Sequence, residues 1–475
     1  MSIATTLSDA AAALAAGTTT STELVTAAIA VADAHDEQTG MFLSRFTDQA
    51  LAAAAAADAD RAAGREPGAL AGIPIGIKDI ITTSEAPSTA QSLVLDPAWS
   101  HGDAVVVQRL RDAGAIILGK LTTMEFAIGS PDATKPFPIP RNPWNLQHWT
   151  GGSSSGSGSA VAAGAVLGAL GTDTGGSIRI PAAFCGITGL MPTFGRVPKS
   201  GCVPLGYSLD HIGPMARSAR DCATMLTVLA GHHPSDHTAI DTPTSDYTTT
   251  LTGDLTGLRI GVDRLARYAL EDEDPALPRL WDDAMDVLRA RGARIVDIEL
   301  PFYEEMTIAD LVIMFGEALA YHRGDLQTRW GDYFAATRTT VGSGIFYGGA
   351  DYVQAQRCRR VGQQALAELY ADVDVIATPT SSTAAPSYAD MDGFVEALAS
   401  GTTGAMHTGY WDTTGNPVLC VPIGFNDAGL PMSMQLAGRP FEEATVLRVG
   451  DAYQAASDWH LRSPAMTPTA AEVPA

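Results

Sequence analysis

The sequence predicts an α/β protein that forms one continuous domain over residues 1–475, and three observations carry that expectation. Short apolar runs that read as strands alternate with segments whose apolar residues recur at helical spacing, which is the rhythm of a sheet covered by helices. A composition of 46 % hydrophobic and 17 % charged residues over 475 positions supplies a large core. No stretch of disordered composition divides the chain, and no internal repeat is present.

Residues 1–65 read as helical cover. Apolar positions recur over 23–34 behind the capping candidates Thr20, Ser21 and Thr22, and an alanine run spans 51–63. The apolar run 73–77 is expected to be a strand that ends at Lys78. Asp103 is the expected cap of a helix through Arg111, followed by a short buried strand over 115–118. Residues 136–143 are expected to be irregular, 160–166 helical, 167–172 extended and 178–184 a short helix. Later strands are expected over 258–262, 294–298, 373–377, 418–422 and 432–436, with a closing helix over 443–455. Residues 241–256 are expected to be a surface excursion, and the chain beyond Ser463 is expected to fray.

Charge and cysteine usage narrow the function. The 30 basic against 53 acidic residues give a net charge of -23, which repels phosphate backbones and anionic membrane surfaces, so neither nucleic acid nor a membrane is an expected partner. Cys185, Cys202, Cys222, Cys358 and Cys420 are odd in number, widely spaced and form no C-x-x-C pair, which fits a reduced, cytoplasmic compartment. The first residues carry no basic segment ahead of their apolar stretch, and no run is long enough to span a bilayer, so export and anchoring are not expected.

Three short patterns have bland readings that outweigh chemical ones. Residues 114–120 spell G-x-x-x-x-G-K, but Leu121 replaces the serine or threonine of a phosphate-binding loop, and a buried strand ending in Lys120 fits better. His232, His233, Asp236 and His237 sit around Pro234 without ligand spacing, as in a turn, and no metal is expected there. Residues 152–156 match G-x-S-x-G around Ser154, yet the polar, proline-containing stretch before them is not the buried strand that a nucleophile elbow requires.

Ser177 has more support. It follows Thr174-Gly175-Gly176 and opens a helix, so successive backbone N–H groups can converge where negative charge develops, and the two glycines allow close approach. Arg179 opposite Asp173 would brace the loop. No histidine stands in a recognisable pairing motif with this serine. Lys78, at the end of an apolar strand, would be desolvated and its pKa lowered, which makes it a candidate base; the bland alternative is an ion pair with neighbouring Asp79.

Residues 72–79 (GIPIGIKD), 151–157 (GGSSSGS) and 171–186 (GTDTGGSIRIPAAFCG) together resemble the amidase signature family, and the likeness continues through 192–197, 208–214, 429–431 and 436–441. It covers roughly 68–464. The resemblance implies the amidase signature fold, a central mixed and twisted β-sheet covered by helices on both faces. It divides the chain into helical cover (1–65), signature core (66–230), a variable helical substrate-side region (231–400), the C-terminal part of the core (401–465) and a tail (466–475). It also implies a Ser–cisSer–Lys triad of Ser177, Ser153 and Lys78, with a cis peptide between Gly152 and Ser153. The backbone of Thr174, Gly175, Gly176 and Ser177 would form the oxyanion hole, with no metal or organic cofactor. Thr122 and Met191 depart from residues common in the family, so the pocket edge is expected to differ.

The resulting expectation is a serine amidohydrolase that cleaves the C–N bond of small apolar or aryl amides through an acyl-enzyme on Ser177, acting as a monomer or homodimer. Aromatics at Phe137, Trp144 and Trp149, and at Phe315, Tyr321, Trp330, Tyr333, Phe334 and Phe346, are the raw material of an apolar pocket, with Met124 and Ser154 as candidate substrate contacts. Carbamate (urethane) or ester hydrolysis by the same groups, the glutaminase subunit of an amidotransferase, a non-catalytic binding protein on the same fold, and a Ser154-centred hydrolase remain as alternatives.

Overall fold

Strands and their order determine where the chemistry sits. In the computed structural model, which describes residues 6–99, 102–268, 273–391 and 406–467, the strands are β1 (Phe42–Arg45), β2 (Pro74–Lys78), β3 (Ile116–Leu121), β4 (Arg141–Asn142), β5 (Asn145–Trp149), β6 (Gly168–Asp173), β7 (Thr188–Met191), β8 (His211–Ala216), β9 (Arg259–Val262), β10 (Arg294–Asp297), β11 (Val375–Pro379), β12 (Val418–Phe425) and β13 (Pro431–Gly438). Eleven of them form one sheet in the order β1-β3-β2-β6-β8-β7-β12-β13-β11-β9-β10, while β4 and β5 pair separately. The sheet is mixed: β3, β2 and β6 run parallel, as do β11, β9 and β10, and the pairs from β6 through β8, β7, β12 and β13 to β11 are antiparallel. Every residue of β2, β3, β6 and β8 is buried, as strands covered on both faces require, whereas β10 at the edge is half-exposed. Among the described residues no helix is long and apolar enough to cross a membrane.

Several elements differ from the sequence reading for identifiable reasons. The helix expected to start at Asp103 runs over Val105–Asp112 behind Ala104, because the Asp103 carboxylate accepts the Ser84 N–H at 2.8 Å and pairs with Arg111 at 2.8 Å. The glycine- and serine-rich run is itself helical over Ser155–Ala163. Its small residues are needed for packing, since a Cβ on Gly156 would lie 2.4 Å from the Met41 carbonyl oxygen. Residues 136–149, expected to be irregular at their start, end in the β4–β5 hairpin. Within 231–400, the strands expected over 258–262, 294–298 and 373–377 are present as β9, β10 and β11 at one end of the sheet. Of the tail expected to fray beyond Ser463, residues 468–475 lie outside the described residues.

The parallel pairing of β2 with β6 positions the site. In that register Ile77 faces Leu170, so Lys78 ends β2 beside the stretch where Thr172 and Asp173 end β6, and both chains leave the sheet on the same side. The G-x-x-x-x-G-K segment is β3, and Lys120 is buried in it, with Nζ 3.1 Å from Asp79 and donating to the Ile81 carbonyl and to Ser88 Oγ at 2.6 Å each. Lys120→Met leaves the Asp79 carboxylate buried without its cation, and the chemical-denaturation midpoint is expected to fall by an amount equivalent to about 3–5 kcal/mol. A loss below about 1 kcal/mol would contradict the pairing.

Candidate active site

Lys78 is fully buried at the end of β2, and its Nζ donates to Ser153 Oγ and to Thr172 Oγ1, each at 2.7 Å. Burial strips hydration from the ammonium and lowers its pKa to about 7, although Asp173 and Asp210 pull the other way. The rival pairing with Asp79 is not made, because that carboxylate faces Lys120 and accepts from the Thr89 N–H and hydroxyl.

Ser153 is held from its own backbone. The Gly152–Ser153 peptide is cis, and the Ser153 carbonyl accepts hydrogen bonds from Thr123 Oγ1 at 2.9 Å and the Met124 N–H at 3.2 Å. Ser177 is half-buried immediately before the helix Arg179–Cys185, and its side of the loop borders the same apolar cavity as Ser153.

The loop between Asp173 and Arg179 is fixed by charge. Asp173 Oδ1 accepts the Gly176 N–H at 2.5 Å, and Oδ2 accepts the Ile178 N–H at 3.1 Å. Arg179, also buried, pairs with Asp173 at 2.9 Å and Asp412 at 2.5 Å, and donates to the Thr408 carbonyl at 3.0 Å and to Gln435 Oε1 at 2.8 Å. Burial opposes ionisation of both acids. The Arg179 guanidinium nevertheless holds Asp173 below the usual carboxylate range, while desolvation together with Asp173 and Asp310 pushes Asp412 well above it.

This geometry redistributes the expected roles. Gly176 donates its N–H to Asp173, so that donor is engaged and not free to face an oxyanion, contrary to the sequence expectation. Thr174 borders a neighbouring cavity rather than the one shared by Ser153 and Ser177, and its hydroxyl donates to Asp210 at 2.7 Å. Gly175 and Ser177 remain at the cavity wall. Ser154 is displaced as a substrate contact: it is buried, and its Oγ donates to the Thr172 carbonyl at 3.2 Å and accepts the Thr172 N–H at 3.1 Å, which ties the loop to β6. Met124 does border the cavity.

The cavity wall is mainly apolar, from Met124, Ile128, Trp149, Leu311, Met314 and Phe315. Of the aromatics singled out in the sequence, Trp149 and Phe315 reach it. Phe137 packs on Phe334, Trp144 packs on Phe425, Tyr333 is buried in the core, and Trp330 and Phe346 are exposed. Sequence reading missed Thr172, the second acceptor for Lys78, although its place at the end of a strand beside the Asp173 loop was a usable signal. It also missed Asp412 and Asp310, which join residues more than a hundred positions away and carry no local signature.

The Amidase family model matches residues 23–447. The chain belongs to the amidase signature family. This amidase is 42 % identical to a glutamyl-tRNA(Gln) amidotransferase subunit from Chloroflexus aggregans over 484 residues, which cover 97 % of this chain and 98 % of that protein. Among solved structures it is similar to a protein from a vestigial complex bearing on the evolutionary origins of an s-triazine catabolic enzyme, with a TM-score of 0.86 and 32 % identity over 95 % of this chain and 98 % of that one. It is also similar to the peptide amidase of Stenotrophomonas maltophilia, with a TM-score of 0.81 and 30 % identity over 97 % of this chain and 98 % of that one. The fold and family make it an amidase-type hydrolase acting on C–N bonds.

Gly176 has φ +125°, and a Cβ there would stand 2.3 Å from Thr408 Oγ1. Gly176→Ala is therefore expected to displace the loop that carries Ser177 and lower kcat/KM by about a hundredfold, with far-UV circular dichroism unchanged. Wild-type kcat/KM in the variant would contradict this placement of the loop.

Proposed function

We propose that this amidase is a serine amidohydrolase that cleaves small amides with an apolar or aryl body through an acyl-enzyme on Ser177. The observation that carries the reading is the buried contact of Lys78 Nζ with Ser153 Oγ at 2.7 Å, beside an apolar cavity that Ser153 and Ser177 both border. In the reaction, neutral Lys78 takes a proton from Ser153 as Ser153 takes one from Ser177, and Ser177 Oγ attacks the amide carbonyl. The N–H groups of Gly175 and Ser177 are the donors proposed for the oxyanion, each supplying about 2.7–4 kcal/mol of transition-state stabilisation if they act as other such donors do. The proton returns through Ser153 to the leaving nitrogen, the C–N bond breaks, and water repeats the path to release the acid. Carbamates and esters would pass through the same acyl-enzyme.

A second reading, a glutaminase subunit of an amidotransferase, is favoured by the similarity to the Chloroflexus protein. The cavity supports it less well. Among the described residues at its wall there is no lysine or arginine to meet the carboxylate of free glutamine, and the wall is mainly apolar. Ammonia release from glutamine matching that from an aryl amide would favour the second reading.

Two outcomes follow for catalysis. Because only neutral Lys78 can accept a proton, and its pKa lies at about 7, kcat/KM is expected to fall about tenfold per pH unit on the acid side of that value and to level off on the alkaline side. A flat profile from about pH 5 to 9, with chemistry rate-limiting, would refute the lysine base. An alkyl fluorophosphonate is expected to modify Ser177, as read by mass spectrometry, and to leave Ser177→Ala unmodified; an adduct on Ser154, or none, would favour the Ser154-centred hydrolase or a non-catalytic protein.

A further inference from the structure

Among the described residues that border the catalytic cavity, Asp310 is the sole ionisable side chain. It projects from the helix Tyr303–Arg329 into a wall formed by apolar neighbours, including Leu311 and Met314, and only 2 % of it is exposed. An acid in such surroundings is costly to bury unless its polar atoms find partners. The structure gives it little: Oδ1 is 3.4 Å from Thr413 Oγ1, a long contact at best. Its other oxygen lies between two glycines of the cavity wall, where a methyl group built on Gly175 would stand 3.2 Å from Oδ2 and one built on Gly409 would stand 3.1 Å from it. Gly175 belongs to the nucleophile loop. The carboxyl group is thus beside the reacting centre rather than at the far end of the cavity.

We propose that Asp310 is a specificity-determining residue, which hydrogen-bonds a polar substituent carried one or two bonds from the scissile carbonyl on an otherwise apolar substrate. The proposal rests on the amide-hydrolase reading of the same cavity and names the substrate class within it. Four charged or titratable groups act on this carboxyl from the elements packed against it: Arg179 and Asp173 from the nucleophile loop, Arg359 from the helix Gly349–Leu369, and Asp412 from the helix Gly409–Thr414. Burial outweighs the two arginines and raises the pKa of Asp310 well above the usual carboxylate value. Desolvation thus favours the protonated acid, which has one O–H to donate and a carbonyl to accept. That pairing suits a hydroxyl, an acylamino group or a carbonyl on the substrate, and it discriminates, because a substrate lacking the group leaves the buried acid unpaired.

The test compares kcat/KM for phenyllactamide and hydrocinnamamide, which differ by one hydroxyl next to the scissile carbonyl, in wild type, Asp310→Val and Asp310→Asn. Wild type is expected to prefer phenyllactamide by about tenfold or more. Asp310→Val should bring the ratio close to one, while Asp310→Asn, which keeps a neutral donor and acceptor of the same shape, should retain most of the preference. Folding of each variant is checked by its thermal melt, and Asp310→Asn carries the comparison if Asp310→Val does not fold. A wild-type ratio near one, or loss of the preference in Asp310→Asn, overturns the role given to Asp310. Failure of wild type to hydrolyse either amide instead overturns the amide-hydrolase reading, and this proposal with it, so the two failures are told apart by whether wild type turns over.

Discussion

The contact between Lys78 Nζ and Ser153 Oγ is the interaction on which the rest of the site depends, and the fold is arranged to make it in the absence of bulk water. A lysine in solvent is an ammonium and cannot accept a proton near neutral pH. Lys78 is buried beneath the end of a fully covered parallel strand, where desolvation costs more than nearby carboxylates return, and its pKa falls to about 7. The parallel neighbour β6 supplies both its second partner, Thr172, and the loop that carries Ser177. Two adjacent strand ends therefore bring together groups that stand far apart in sequence.

The second requirement is a rigid loop, and here electrostatics acts without touching the reacting atoms. Asp173 accepts backbone N–H groups from both sides of Ser177 and is itself held by Arg179, which reaches across to Asp412, Thr408 and Gln435 on C-terminal elements. A buried ion pair of this kind contributes little net stability but is expensive to break. It joins the first and last parts of the sheet at the loop that carries Ser177. Because Asp173 claims the Gly176 N–H, the donors proposed for an oxyanion shift to Gly175 and Ser177.

Much of this was legible in the sequence where the signal is local. The strand ending at Lys78, the Gly-Gly-Ser loop opening a helix and the Asp173–Arg179 brace all lie within a few residues of their own evidence. The helix over 155–163 was read as starting only at 160, because glycine and serine are permissive in any conformation; only the close packing of 155–159 against Met41 and neighbouring elements decides for a helix there. The G-x-S-x-G match at Ser154, already set aside for want of a preceding strand, carries no information on which way the hydroxyl turns. Its bonds to the Thr172 backbone exist only once β6 is in place. Asp310 and Asp412 were illegible for a similar reason, since a carboxylate on a helix reads as solvated surface until the packing of distant helices buries it.

The central claim is that Lys78 is uncharged over the pH range in which the enzyme works. Its direct measure is the titration of Lys78 Nζ by NMR of ¹⁵N-lysine-labelled protein, with the resonance assigned by its absence in Lys78→Met. The account predicts a midpoint close to 7. A resonance that stays protonated up to the ordinary lysine value of 10.5 would contradict it.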